Sequence, residues 1–136
     1  ASESSKDLVF LDEVWKMLKN AECAKQVHDM IKLIRGYGGG AIIATQELND
    51  CLSHMKKYGL SILNNSAISL LLKMKPTELQ LVQETYRLNP SECEKITKFK
   101  RGKGMFISNG DKLIVSITST PLEDRTLRDR TAKKAS

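Results

Sequence analysis

At 136 residues, with 40% hydrophobic and 28% charged side chains, the chain has the balance of an ordinary soluble protein and the length of one domain with its own core. No apolar run nears the roughly 20 residues that cross a bilayer, and the start Ala1-Ser2-Glu3-Ser4-Ser5-Lys6 lacks the apolar stretch of a signal peptide, so a cytoplasmic protein is expected. Cys23, Cys51 and Cys93 are odd in number and far apart, which excludes a disulfide framework and a zinc knuckle, while the formal charge of +6 gathers in Lys98 to Lys103 and Arg125 to Lys134, as on a solvated basic surface.

Leu8-Val9-Phe10-Leu11 followed at once by Asp12-Glu13 describes a buried strand that delivers two acids to a sheet edge. A Walker B element is built this way: one carboxylate holds Mg²⁺ through its water shell, and the next polarises the water that attacks a γ-phosphate. Two acids that merely open a helix and complement its dipole give the same pattern. Val14, Met17, Leu18, Ala21, Ala24, Val27, Ile31 and Ile34 then recur at steps of three and four, which predicts one long helix from about Val14 to Arg35, capped by Gly36. The run Gly36 to Gly40 feeds a second strand, Ala41 to Thr45, ending in Gln46. Strand, helix and strand in this order form a parallel βαβ unit with functional residues at the carboxyl ends of its strands, where Asp12, Glu13 and Gln46 fall.

Glu47 to Ser61 predicts a helix followed by a loop around Gly59, and Ile62-Leu63-Asn64-Asn65-Ser66 leads into a third strand, Ala67 to Met74. Pro76 opens a helix to about Arg87. Asn89-Pro90-Ser91-Glu92 places a cap, a proline at the first helical position and a capping acid ahead of a helix to about Phe99. Met105 to Ser108 and Leu113 to Ile117 flank Asn109-Gly110, a strong hairpin signal. From Pro121 the chain is polar, as a helix or a frayed tail. His28 and His54 have no acid, cysteine or second histidine at ligand spacing, and Trp15 and Tyr37 are expected to pack.

A phosphate-binding P-loop needs GxxxxGKS or GxxxxGKT between a strand and a helix, and no such segment occurs. Gly36 to Gly40 precedes a strand and carries no lysine, so it reads as a tight helix-to-strand connection. Gly102-Lys103-Gly104 lacks the hydroxyl and the helix. The chain thus carries half of a nucleotide site.

Taken together, Leu8-Val9-Phe10-Leu11-Asp12-Glu13-Val14-Trp15, the helix ending in Ile34-Arg35, Tyr37-Gly38-Gly39-Gly40-Ala41-Ile42-Ile43-Ala44-Thr45-Gln46 and Ile62-Leu63-Asn64-Asn65-Ser66 resemble the carboxyl-terminal ATPase domain of the VirB/TraC-type conjugal transfer ATPases of type IV secretion, within the wider FtsK/HerA-like P-loop ATPases. The resemblance covers about Leu8 to Pro121 and implies an α/β fold: a partial RecA-like P-loop NTPase with a parallel sheet flanked by helices and a C-terminal β-hairpin, lacking the Walker A strand and loop. Residues 1–121 would be the C-terminal part of the ATPase domain and residues 122–136 a basic tail.

The resemblance further implies ATP and Mg²⁺ as cofactors of the complete protein, with Asp12 as the Mg²⁺ carboxylate, Glu13 as the catalytic carboxylate and Gln46 as the γ-phosphate sensor. Arg35 would be an arginine finger acting on a neighbouring subunit. Without the resemblance, Gln46 reads equally as a helix cap and Arg35 as an ordinary cation near a helix end. The implied partners are other subunits of a type IV secretion or conjugation machine, copies of the protein itself in a hexamer, and DNA. The implied place is the inner face of the cytoplasmic membrane, reached through partners. A DNA-translocating ATPase of the FtsK/HerA or coupling-protein type is the second reading, and an interaction domain without a nucleotide site the third. Hydrolysis by this chain alone is not expected. In RecA-like sheets the Walker A strand lies between the sensor strand and the one after it, so its absence predicts two unpaired strand edges and self-association or rearrangement.

Overall fold

The computed structural model describes residues 7–46 and 56–132, which divide into two compact units. The first comprises Ala1–Ser66 with Gln80–Arg87, the second Ala67–Leu79 with Leu88–Ser136.

In the first unit, β1 (Leu8–Leu11) and β2 (Gly40–Ile43) pair in parallel, with Leu8 opposite Gly40 and Leu11 opposite Ile43. The expected single helix between them is two: α1 (Trp15–Leu18) and α2 (Ala21–Gly36). Asn20 makes the break. Its backbone is extended, and its side-chain oxygen accepts from the N–H groups of Glu22 and Cys23, ending one helix and capping the next. The apolar period survives the break because both helices feed one core, made of Val14, Leu18, Ala24 and Val27 with Leu11, Trp15, Ile31, Ile43, Tyr58 and Ile62 packed against it.

The α2 terminus also departs from expectation. Gly36 stays helical, and the left-handed residue is Gly38, at φ +77°. Gly39 serves close approach instead: a Cβ there would lie 2.6 Å from the Asp7 carbonyl oxygen and 2.8 Å from Ile34 Cγ2. The glycine run is thus a compact return into β2, whereas Tyr37, expected to pack, is 79% exposed.

Residues 47–55 of the next expected helix lie outside the described residues. Lys56–Asn64 forms α3, which runs straight through Gly59 where a loop was expected; Gly59 is buried, and the helix lays Tyr58 and Ile62 against the core.

The second unit is built on an antiparallel sheet in the order β3 (Ile68–Leu71), β4 (Lys103–Ser108), β5 (Asp111–Ser116). Asn109 and Gly110, at φ 51° and 89°, form the tight β4–β5 turn. Helix α4 (Pro76–Tyr86), which the division splits after Leu79, ends close to where the sequence places it, and in the second unit α5 (Pro90–Lys98) carries the full capping box of Asn89 and Glu92. Leu88, Ile96, Phe99, Met105 and Ile107 are buried, and α6 (Pro121–Ala132) gives the polar end a helical form.

The strands are less covered than their apolar runs imply. Residues alternate across a strand, and in β1 Val9 and Leu11 are half-buried while Leu8 and Phe10 are 66% and 63% exposed. Among the described residues β2 pairs only with β1, and β3 only with β4.

Candidate nucleotide-hydrolysis site

Asp12 and Glu13 follow the last residue of β1, and the residues that flank them, Leu11 and Val14, are both clamped to one residue of the neighbouring segment. The Ala44 N–H donates to the Leu11 carbonyl oxygen at 2.9 Å, and the Val14 N–H donates to the Ala44 carbonyl oxygen at 3.3 Å. Ala44 is followed directly by Thr45 and Gln46. The parallel register therefore brings both acids and the glutamine to one edge of the sheet, although two helices separate the acids from the glutamine in sequence.

The Asp12 and Gln46 side chains are exposed. Glu13 is half-buried and sits at φ 52°, a left-handed conformation that costs a non-glycine residue on the order of 1–3 kcal/mol and concentrates at functional positions. Its carboxylate oxygen Oε2 accepts a short hydrogen bond from the Trp15 indole Nε1–H. The Trp15 ring packs on the core and carries the ammonium groups of Lys19 and Lys16 at 4.1 and 5.7 Å from its centroid. Packing alone was expected of this residue; the missed signal was an indole donor two residues beyond the second acid. The buried hydroxyl of Thr45 has no hydrogen-bond partner among the described residues, which leaves a polar atom unsatisfied beside Gln46.

Arg35 is not brought to this edge. α2 starts near the carboxyl end of β1 and returns to the amino end of β2, a length of about 24 Å at 1.5 Å per residue. Arg35, one residue before its end, is exposed and donates from Nη1 to the Asn65 carbonyl oxygen at 3.4 Å. His28, assigned no chemistry, holds α2 to α3: its Nε2 lies 3.2 Å from Ser61 Oγ, and its ring meets Tyr58 edge to face.

The second unit holds the basic cluster. Lys95, Lys98, Lys100 and Lys103 line an open hollow of about 470 Å³ with Phe99 and Ile114, where the one acid is Glu94, bonded to Lys98. Among the described residues no group of histidines, cysteines and acids could enclose a metal ion, and no helix is long and apolar enough to cross a membrane.

A parallel βαβ unit with its polar residues at the carboxyl ends of the strands is an architecture that P-loop ATPases share with other open α/β folds. The model of the TraG P-loop domain family matches residues 2–114, and the chain belongs to that family. Among solved structures, VirB4 of Thermoanaerobacter pseudethanolicus superposes with a TM-score of 0.81 at 24% identity, over 90% of this chain and 34% of that one. The fold is thus that of part of a P-loop ATPase, and the chain spans about a third of that relative's length. No curated protein matches.

Proposed function

We propose that this chain supplies the Walker B half of an ATP-hydrolysing site in a motor ATPase that energises conjugative DNA transfer or type IV secretion. The carrying observation is the clamp at Ala44, which brings Asp12, Glu13 and Gln46 to one sheet edge. An exposed carboxylate at a strand end suits a hydrated Mg²⁺, and Asp12 would hold it through its water shell; when bound, the metal supplies positive charge to the phosphate oxygens. Glu13 orients the attacking water and accepts its proton. The Gln46 amide both donates and accepts, which suits the detection of a γ-phosphate. Arg35, at the opposite sheet edge, would serve a site on a neighbouring subunit, in keeping with a ring, a hexamer by analogy with the family.

The phosphate-gripping GxxxxGKS or GxxxxGKT would belong to the complete protein, as would partner subunits at the inner face of the cytoplasmic membrane. Residues 1–121 are proposed as the ATPase part and residues 122–136 as a basic tail.

The test is Mg²⁺-dependent ATP hydrolysis by the complete protein, by its Glu13→Gln variant and by this chain alone. Turnover by the wild type only, with the variant binding ATP but slowed roughly 10²–10⁴-fold, is expected. A variant as fast as the wild type would return both acids to the role of helix-start residues.

The lysine-lined hollow favours a second reading, a DNA-translocating ATPase of the FtsK/HerA or coupling-protein type. Hydrolysis stimulated by DNA, with binding that falls steeply as salt rises, would select it. Binding to secretion-machine subunits without DNA stimulation would select the first.

A further inference from the structure

We propose that Trp15 is a positioning residue for Glu13, holding one carboxylate oxygen so that the other faces the water. This deepens the proposed hydrolytic site and rests on it. Trp15 Nε1 donates to Glu13 Oε2, and among the described residues Oε1 has no hydrogen-bond partner. A carboxylate on a flexible stem samples several rotamers, and a donor fixed elsewhere removes that freedom before the reaction begins. The donor here is fixed. The indole packs against the first unit's core, and the Lys19 ammonium stands 4.1 Å from the ring centroid. A cation on the ring face draws electron density toward itself and leaves the indole N–H the stronger donor.

The backbone contributes the other half of the geometry. With Glu13 at φ 52° and Val14 back in helical conformation, the Glu13 carboxylate meets the indole two residues ahead. Asn20 then stops α1 immediately after Lys19, so the acid, the ring and its cation belong to one short segment. Packing alone would require the ring and would be indifferent to its N–H.

Trp15 is the sole tryptophan, so its indole N–H gives a single, assignable resonance. In this chain that proton is expected to exchange with solvent at least about tenfold more slowly than in Glu13→Ala, and to shift in position between the two. In the complete ATP-hydrolysing protein, Trp15→Phe keeps a ring and removes the donor. The expected result is a kcat lowered about 10- to 100-fold with KM within about twofold, the pattern of misplacement and not of lost binding. Benzothienylalanine at position 15 keeps the whole bicyclic shape without the N–H and must give the same loss; it decides the matter if Trp15→Phe fails to fold.

Identical indole exchange in wild type and Glu13→Ala would overturn the proposal. So would full activity in the benzothienylalanine protein where Glu13→Gln is slowed as expected. Full activity in Glu13→Gln itself would instead remove the hydrolytic role of Glu13, and this proposal with it.

Discussion

Among single residues, Glu92 makes the clearest electrostatic statement. Its carboxylate accepts from the Asn89 backbone N–H at 2.8 Å and from the Lys112 ammonium at 3.0 Å, and these hold its pKa below the ordinary value of 4.5, the backbone bond contributing most. The folded carboxyl therefore titrates below the unfolded one. Its contribution to stability is complete above about pH 4.5 and is lost as pH falls from there through the folded value. Thermal unfolding at pH 6 and pH 3.5 should show a smaller difference in Tm for Glu92→Gln than for the wild type; an equal difference would remove Glu92 from the acid response. The capping pair was plain in the sequence, because Asn89-Pro90-Ser91-Glu92 places the acid at the third helical position. Lys112 was not, since its approach depends on how the β4–β5 hairpin meets α5.

At the scale of elements, the instructive case is the break at Asn20. The apolar residues from Val14 to Ile34 keep one helical period straight through it, so hydrophobic pattern alone reads one helix. Asn20 also lacks the usual companion of a start signal: the third helical position is Cys23, and the acid stands at Glu22. Asn20→Ala should cost about 1 kcal/mol, lower the Tm by a few degrees and speed exchange of the Glu22 and Cys23 amides. Unchanged exchange at those two amides would show that the cap contributes nothing. Local chemistry made the strand–helix–strand order, the hairpin and the α5 start legible. It did not reveal that Gly59 lies inside α3, where burial in tertiary packing outweighs glycine's poor helical propensity. Of the candidate site, the acids and Gln46 were legible as strand-end residues; the Trp15 bond was not, because it depends on the backbone conformation of Glu13.

Over the whole molecule, apolar sequence exceeds apolar burial. In the first unit Leu8, Phe10 and Ile42 are 66%, 63% and 44% exposed; in the second Ile68, Leu70 and Leu113 are 60%, 43% and 62% exposed. Strands that read as continuous apolar runs belong to sheets covered on both faces, and here one face of each sheet is open. With β2 and β3 each pairing on a single side among the described residues, the isolated chain is expected to self-associate as its concentration rises. Light scattering on the eluting protein should give a mass that increases with loading. A constant monomer mass up to high concentration would show that these surfaces are inert.

The clamp at Ala44 has a mechanical meaning. Because its N–H and its carbonyl oxygen grip the residues on either side of Asp12-Glu13, the segment ending in Gln46 and the segment bearing the acids have no slack between them. The Val14 and Ala44 amides should therefore open in one event, readable as matched rates of amide exchange.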